Sequence, residues 1–348
     1  MSPARRPSGE RVRLGVLGAG RFGANYLRVL PTIAGASLEA VFDPDPRVRE
    51  AHAGAAFTWT RSADELLDRG LDAIVIATPP SNHVELALAA LDRGHHVLVE
   101  KPFATSVEDA ERLAWTARRS GAVLLTGHLV LHFAGVAETL RASARVGHPL
   151  HSIHERLSDG ASRSRENALW ALGPHDVAVA LRLGRATRLP ERVRATGVRG
   201  ADGVWDEVSA EAAFADGGTS RFVWSRAGGR ARTLRIEGPL GSAALDEAAR
   251  ALETSFGPAE VFASEDALRR QCTHFLGCVR GSEAPVESLD DVLANVEVLA
   301  AMERSLHDEG RWVALSATIT DPVLSAAPPR TGVSGRRKTL PPTPSAGL

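Results

Sequence analysis

The chain has 348 residues, 44% of them hydrophobic and 24% charged, with a formal net charge of −1. That balance is a globular protein's, the length suits two domains of ordinary size, and the near-zero charge gives no global field to draw in nucleic acid or an anionic membrane. Apolar runs stay short of the roughly eighteen residues that a membrane-spanning helix needs. The only two cysteines, Cys272 and Cys278, lie six apart on a predicted helix and off a common face. They read as reduced, buried thiols of a cytoplasmic protein, with neither disulfide nor metal site. Residues 1–10 are rich in Pro, Ser and Arg without an apolar stretch, which predicts disorder and no signal peptide.

Residues 13–17 then form a short apolar run leading into Gly18-Ala19-Gly20-Arg21-Phe22-Gly23 and a helical segment over 24–30. A G-x-G-x-x-G between a strand and a helix is a dinucleotide-binding pattern. Gly18 permits the turn, Gly20 lets backbone approach a pyrophosphate, Gly23 allows close helix–sheet packing, and the helix start offers free N–H groups. Arg21 and Phe22 of the same loop are expected beside the cofactor. A second strand, 37–42, ends at Asp43, twenty residues after Gly23. A carboxylate there accepts both ribose hydroxyls of the adenosine half and repels a 2′-phosphate, so the pattern favours NAD over NADP.

Ser62-Ala63-Asp64-Glu65 is a capping-box pattern. The strand 72–77 ends at Thr78-Pro79-Pro80, where the nicotinamide ribose is expected. His83 starts the next helix and either touches the cofactor or makes a local hydrogen bond. The strand 96–99 delivers Glu100-Lys101-Pro102, Ser106 caps a further helix to Gly121, and 122–126 is one more strand. Strand–helix alternation over 11–127 predicts a Rossmann domain with a doubly wound parallel sheet. Beyond it the pattern changes. Helices over 136–146 and 167–183, a strand over 150–157 and alternating segments at 208–214, 220–224 and 233–237 predict an open, mostly antiparallel sheet flanked by helices over 128–318. Closing helices fall within 264–308, and 319–348 reads as a disordered tail in which Arg336-Arg337-Lys338 is a solvated charge run.

Glycine loop, Asp43, Glu100-Lys101-Pro102, Gly127-His128 and Gly173-Pro174-His175-Asp176 in this order resemble the glucose–fructose oxidoreductase / inositol dehydrogenase / MocA (Gfo/Idh/MocA) family over about residues 11–316. Gly127-His128 and the run from Asn167 through Trp170 to Asp176 are most similar to its sugar-nucleotide 3-dehydrogenase branch. The resemblance implies NAD-dependent hydride transfer from a sugar or sugar-nucleotide hydroxyl, giving a 3-keto sugar. Lys101 would hydrogen-bond the reacting oxygen near the nicotinamide with Glu100 beside it, and His175 would take the hydroxyl proton. His128, Arg156 and Trp170 are candidates for substrate contact. The implied assembly is a homodimer or homotetramer. The family commonly has an aspartate four residues before the histidine, where this chain has Ala171. Two other readings stay open: an NAD(P)H-dependent keto-sugar reductase in natural-product biosynthesis, and a non-catalytic NAD- and sugar-binding regulator.

Overall fold

A computed structural model describes residues 10–158, 166–183, 189–264 and 266–315. The chain divides into two units, Met1–Ala317 and Thr318–Leu348, and every described residue lies in the first. The segments expected to be disordered, apart from residue 10, and the charge run 336–338 lie outside the described residues.

The first half follows the predicted alternation: β1 (Val12–Leu17), α1 (Gly23–Val29), β2 (Ala36–Phe42), α2 (Pro46–Ala51), β3 (Thr58–Trp59), α3 (Ala63–Leu67), β4 (Ala73–Ile76), α4 (His83–Asp92), β5 (His96–Val99), α5 (Val107–Ser120) and β6 (Leu124–Thr126). The strands form one parallel sheet in the order β3-β2-β1-β4-β5-β6. Every residue of β4 and β5 is buried, as strands covered by helices on both faces must be. The order reverses at β1, which pairs with β2 on one side and β4 on the other. A crevice therefore opens at the carboxyl ends of β1 and β4, the place where such sheets hold ligands. Ser62 and Ser106 cap α3 and α5 by accepting the N–H of Glu65 and Asp109, each worth about 1 kcal/mol. The box at Ser62 is half made, because the Glu65 carboxylate takes the backbone N–H of Arg61 instead.

The second half runs α6 (Ala134–Val146), β7 (His151–Leu157), α7 (Ala168–Ala180), β8 (Arg192–Arg199), β9 (Trp205–Ala213), β10 (Thr219–Ser225), β11 (Ala231–Gly238), β12 (Gly241–Asp246), β13 (Ala251–Thr254), β14 (Gly257–Val261), α8 (Ala267–Arg280), α9 (Leu289–His307) and β15 (Val313–Ala314). Its strands form a sheet in the order β14-β13-β12-β11-β7-β10-β9-β8-β15, antiparallel except where β7 pairs with β10. The sequence pattern pointed to β7 and β9–β11 and passed over the others. In β14 every residue is exposed, so no hydrophobic period marks it; pairing with β13 makes it a strand.

The closing helices divide between the two sheets. Cys272, Phe275 and Leu276 of α8 pack into the cluster that Val12, Leu14 and Val16 of β1 form with Tyr26, so α8 completes the core of the Rossmann half. Helix α9 instead lies against α7. A Cβ on Gly173 would stand 2.9 Å from Leu299 and 3.3 Å from Trp224, which is why the segment that carries His175 has glycine there. Among the described residues no helix is long and apolar enough to cross a membrane.

Candidate active site

The glycine loop is shaped for a dinucleotide. Gly18 has φ +87°, a left-handed conformation that favours glycine, and a Cβ on it would lie 2.7 Å from the Thr78 nitrogen. A Cβ on Gly23 would lie 2.1 Å from the Gly18 carbonyl oxygen, whereas one on Gly20 would meet nothing within 4 Å. The first and third glycines thus close the turn, and the second leaves open space where a pyrophosphate can approach. Asp43 is drawn against the loop: Oδ2 accepts the Ala19 N–H at 2.7 Å and Oδ1 the Asp45 N–H at 2.9 Å. Each carboxylate oxygen has a second lone pair for a ribose hydroxyl. At the end of β4, the buried Thr78 Oγ1 has no hydrogen-bond partner, an orphan of the kind a bound ligand completes. These residues fit NAD. Arg21 and Phe22 are exposed on the loop, with Phe22 edge to face against Tyr26 at 5.9 Å. Because the Asp43 carboxylate opposes a 2′-phosphate, saturating NAD should raise Tm more than NADP does; equal shifts in a thermal melt overturn that role for Asp43.

Beyond β5 the chain places two charged groups in opposite directions. Glu100 turns inward, where its Oε1 accepts the Tyr26 hydroxyl at 2.6 Å and its Oε2 the Lys101 N–H at 3.2 Å. Gln271 of α8 donates to the same Tyr26 oxygen at 3.0 Å. Burial raises the Glu100 carboxyl above its ordinary range, against the opposing pull of Tyr26 and Lys101. Gly127 is required beside it, since a Cβ there would stand 2.8 Å from the Glu100 carboxyl carbon. Lys101, whose peptide to Pro102 is cis, extends to α7 and donates from Nζ to the Ala171 carbonyl at 2.7 Å.

That carbonyl lies one helical turn before His175. Asn167 caps α7 by accepting the Trp170 N–H at 3.0 Å, and Pro174, which has no N–H to donate, sits inside the helix. Asn295 of α9 donates to the Pro174 carbonyl at 2.9 Å and ties the two helices together. His175 keeps part of its surface open, while its Nδ1 is closed off and has no hydrogen-bond partner. Burial, then the charges of Arg156 and Lys101, hold its imidazole well below the ordinary histidine range. At neutral pH the ring is therefore unprotonated and can accept a proton.

Four of the candidate residues have side chains engaged within the protein. The His83 Nδ1 lies 2.9 Å from the Pro102 carbonyl and its Nε2 2.9 Å from that of Thr78, so the ring joins the ends of β4 and β5, the local hydrogen-bonding reading of this residue. Glu100 supports the lysine from beneath and is committed to Tyr26. Trp170 is buried in the hydrophobic core. Arg156 is 7% exposed and engaged on both sides, with Asp176 at 2.7 Å and Glu247 at 3.0 Å; despite burial, these carboxylates hold it further into its charged form. Asp176 also accepts the Trp224 Nε1–H at 2.8 Å. His128 lies beside His175, with ring centroids 6.1 Å apart. Its partner Glu287, at 2.7 Å, carried no signal in the sequence, where it is an ordinary acid ahead of a helix. Among the described residues no cluster of three or more His, Cys, Asp or Glu side chains is placed to hold a metal ion.

Residues 12–128 match the family model GFO_IDH_MocA, an oxidoreductase family with an NAD-binding Rossmann fold. The UDP-N-acetylglucosamine 3-dehydrogenase of Acidithiobacillus ferrooxidans is 32% identical over 217 residues, 62% of this chain and 67% of that protein. Its crystal structure superposes with a TM-score of 0.78 at 27% identity, covering 86% of this chain and 98% of the other. Inositol 2-dehydrogenase 4 of Saccharopolyspora erythraea is 32% identical over 202 residues, 52% of this chain. The match spans 60% of that dehydrogenase's own length. A protein of gentamicin A biosynthesis, solved with NAD, shares the fold at a TM-score of 0.79 and 23% identity, over 91% of this chain and 99% of that one. Fold, glycine loop and family match together define an NAD-binding Rossmann protein. The chain belongs to the Gfo/Idh/MocA oxidoreductase family.

Proposed function

We propose that this protein is an NAD-dependent dehydrogenase that oxidises a secondary hydroxyl of a sugar or sugar nucleotide, at C3 in the sugar-nucleotide case. The observation that carries this reading is the meeting of Lys101 and α7: the Nζ bond to the Ala171 carbonyl brings the cation to the turn that presents His175, at the carboxyl ends of the parallel strands. The glycine loop, Asp43 and Thr78 would hold the dinucleotide, whose nicotinamide accepts the hydride. Lys101 donates a hydrogen bond to the substrate oxygen and steadies the charge that grows on it. His175, kept neutral by its surroundings, takes the hydroxyl proton. Pro102 and His83 hold the lysine's backbone in place.

The named relatives, an inositol dehydrogenase and a UDP-N-acetylglucosamine dehydrogenase, support polyols and sugar nucleotides as the substrate class. The second sheet leaves Ile153 and Val223 exposed at 46% and 38%, an apolar face suited to a second copy of the chain, and the two free buried thiols suit a reducing cytoplasm. Ala171, which offers no carboxylate beside His175, favours the alternative of a non-catalytic sensor. The deciding experiment is an NADH-absorbance screen over nucleoside-diphosphate sugars, free sugars and inositols, run in both directions. NAD reduction with one of these classes supports the dehydrogenase. NADH consumption with the keto-sugar alone makes it a reductase, and ligand binding without turnover in either direction makes it a sensor.

A further inference from the structure

The reading above leaves unused a buried carboxylate bonded to His128, the neighbour of the proposed base. Glu287 lies just ahead of Ser288, the N-cap of α9, and its Oε2 is 2.7 Å from Nδ1 of His128, with the two side chains 6% and 2% exposed. Withdrawing a carboxylate this far from water costs several kcal/mol unless a charged or hydrogen-bonding partner compensates it. Among the described residues the side chain bonded to it is His128. The carboxylate sets the histidine's tautomer: Nδ1 carries the proton it donates, and Nε2 is left with a lone pair on the other edge of the ring. That ring stands edge to face against His175.

His175 needs such a neighbour. The charged groups that act on it are Arg156 from β7, Lys101 from the end of β5 and Arg232 from β11, together with His128. Three of these are permanent or ordinary cations, and each opposes a positive charge on the ring. Its Nδ1 is unpartnered, Ala171 on the preceding turn has no acid group, and Asp176 is spent on Arg156 and Trp224. Glu100 and His132 also act on His128, but Glu100 is held by Tyr26 and His132 has no negative charge to offer. Glu287 is the carboxylate bonded to the ring that touches the base.

We propose that Glu287 is a positioning residue that acts through His128, and that His128 receives the proton His175 takes from the substrate. The inference rests on the dehydrogenase reading. In the step, the substrate O–H and C–H bonds break and a C=O bond forms. The hydride goes to the nicotinamide and the proton to His175. The proton then passes to Nε2 of His128, which becomes an imidazolium paired with the Glu287 carboxylate, and His175 recovers its lone pair.

The test compares Glu287→Gln, which keeps shape and removes charge, with Glu287→Asp, which keeps the charge. In Glu287→Gln kcat should fall at least about tenfold, less than the roughly hundredfold minimum for a group that itself moves the proton, because Glu287 acts through His128, with KM within about twofold. The acid limb of the kcat profile should move to lower pH, because the proton taken up from the substrate loses the carboxylate that balances its charge. Glu287→Asp should recover part of both effects. Nitrogen-15 histidine spectra of the intact chain, read without substrate, should show the His128 proton on Nδ1, and Glu287→Gln should shift the ring-nitrogen signals of both His128 and His175. Wild-type kcat in Glu287→Gln, or spectra in which that substitution leaves the His175 signals unchanged, overturns the proposal. If the unsubstituted protein turns over no substrate, the dehydrogenase reading fails while the spectra still decide whether the histidines are coupled.

Discussion

Lys101→Ala is expected to lower turnover by at least about a hundredfold and to leave the rise in Tm produced by NAD in place. A positioned donor or acceptor of protons at the reacting oxygen contributes about 10²–10⁴ in rate. Alanine removes that group without touching the glycine loop, Asp43 or Thr78. The Nζ contact it breaks is to a backbone carbonyl, Ala171 at 2.7 Å. That carbonyl keeps its helical position in α7, so the fold loses little. Turnover and thermal shift measured on the same preparation check both halves of the expectation. Near-normal turnover removes Lys101 from the mechanism, and loss of the NAD-induced shift places it in cofactor binding instead.

The largest effect on stability is expected at Asp176. Asp176→Ala leaves Arg156 buried with Glu247 as its remaining carboxylate, and leaves the Trp224 Nε1–H without its acceptor. Breaking a buried ion pair from one side costs roughly 3–5 kcal/mol, because the charge left behind stays out of water. Glu247, at 3.0 Å from Arg156, keeps the value toward the lower end. Asp176→Asn retains an acceptor for Trp224 and should cost less. Urea unfolding of the two variants beside the parent measures the difference, and a loss under about 1 kcal/mol for Asp176→Ala would show that the network carries little of the fold. Since Asp176 directly follows His175, the larger loss should bring reduced activity even where the protein remains folded.

The elements legible in the sequence are those whose cause is local. The glycine spacing after an apolar run, an acid at the end of the second strand, serine caps on α3 and α5, and the glycine that ends α5 each depend on interactions within a turn or a single βαβ unit. Lys101 could be picked out for the same reason, as a charged residue at the end of a buried strand. Fully exposed β14 and the edge strand β15 carry no pattern of their own and exist through pairing with a neighbour. Chain order also placed α8 with the second half, whereas its apolar face is buried against β1 and Tyr26.

Within the site the division is sharper. The sequence by itself determined the dinucleotide loop, the acid expected at its ribose and the lysine at a strand end; the family resemblance added the histidine as its candidate partner. Hydrophobic period, backbone freedom and strand termini are properties of short segments, and a short segment displays them. Only the tertiary structure decided what each polar group touches. Arg156 and Trp170 looked available and are consumed by the interior, and His83 joins two strand ends. Glu287, 159 residues from His128, becomes part of the site through folding alone. The physical reason is that a buried charge is satisfied by whichever partner the packing of distant elements brings within hydrogen-bond reach, and nothing near that charge in the chain records which partner it will be.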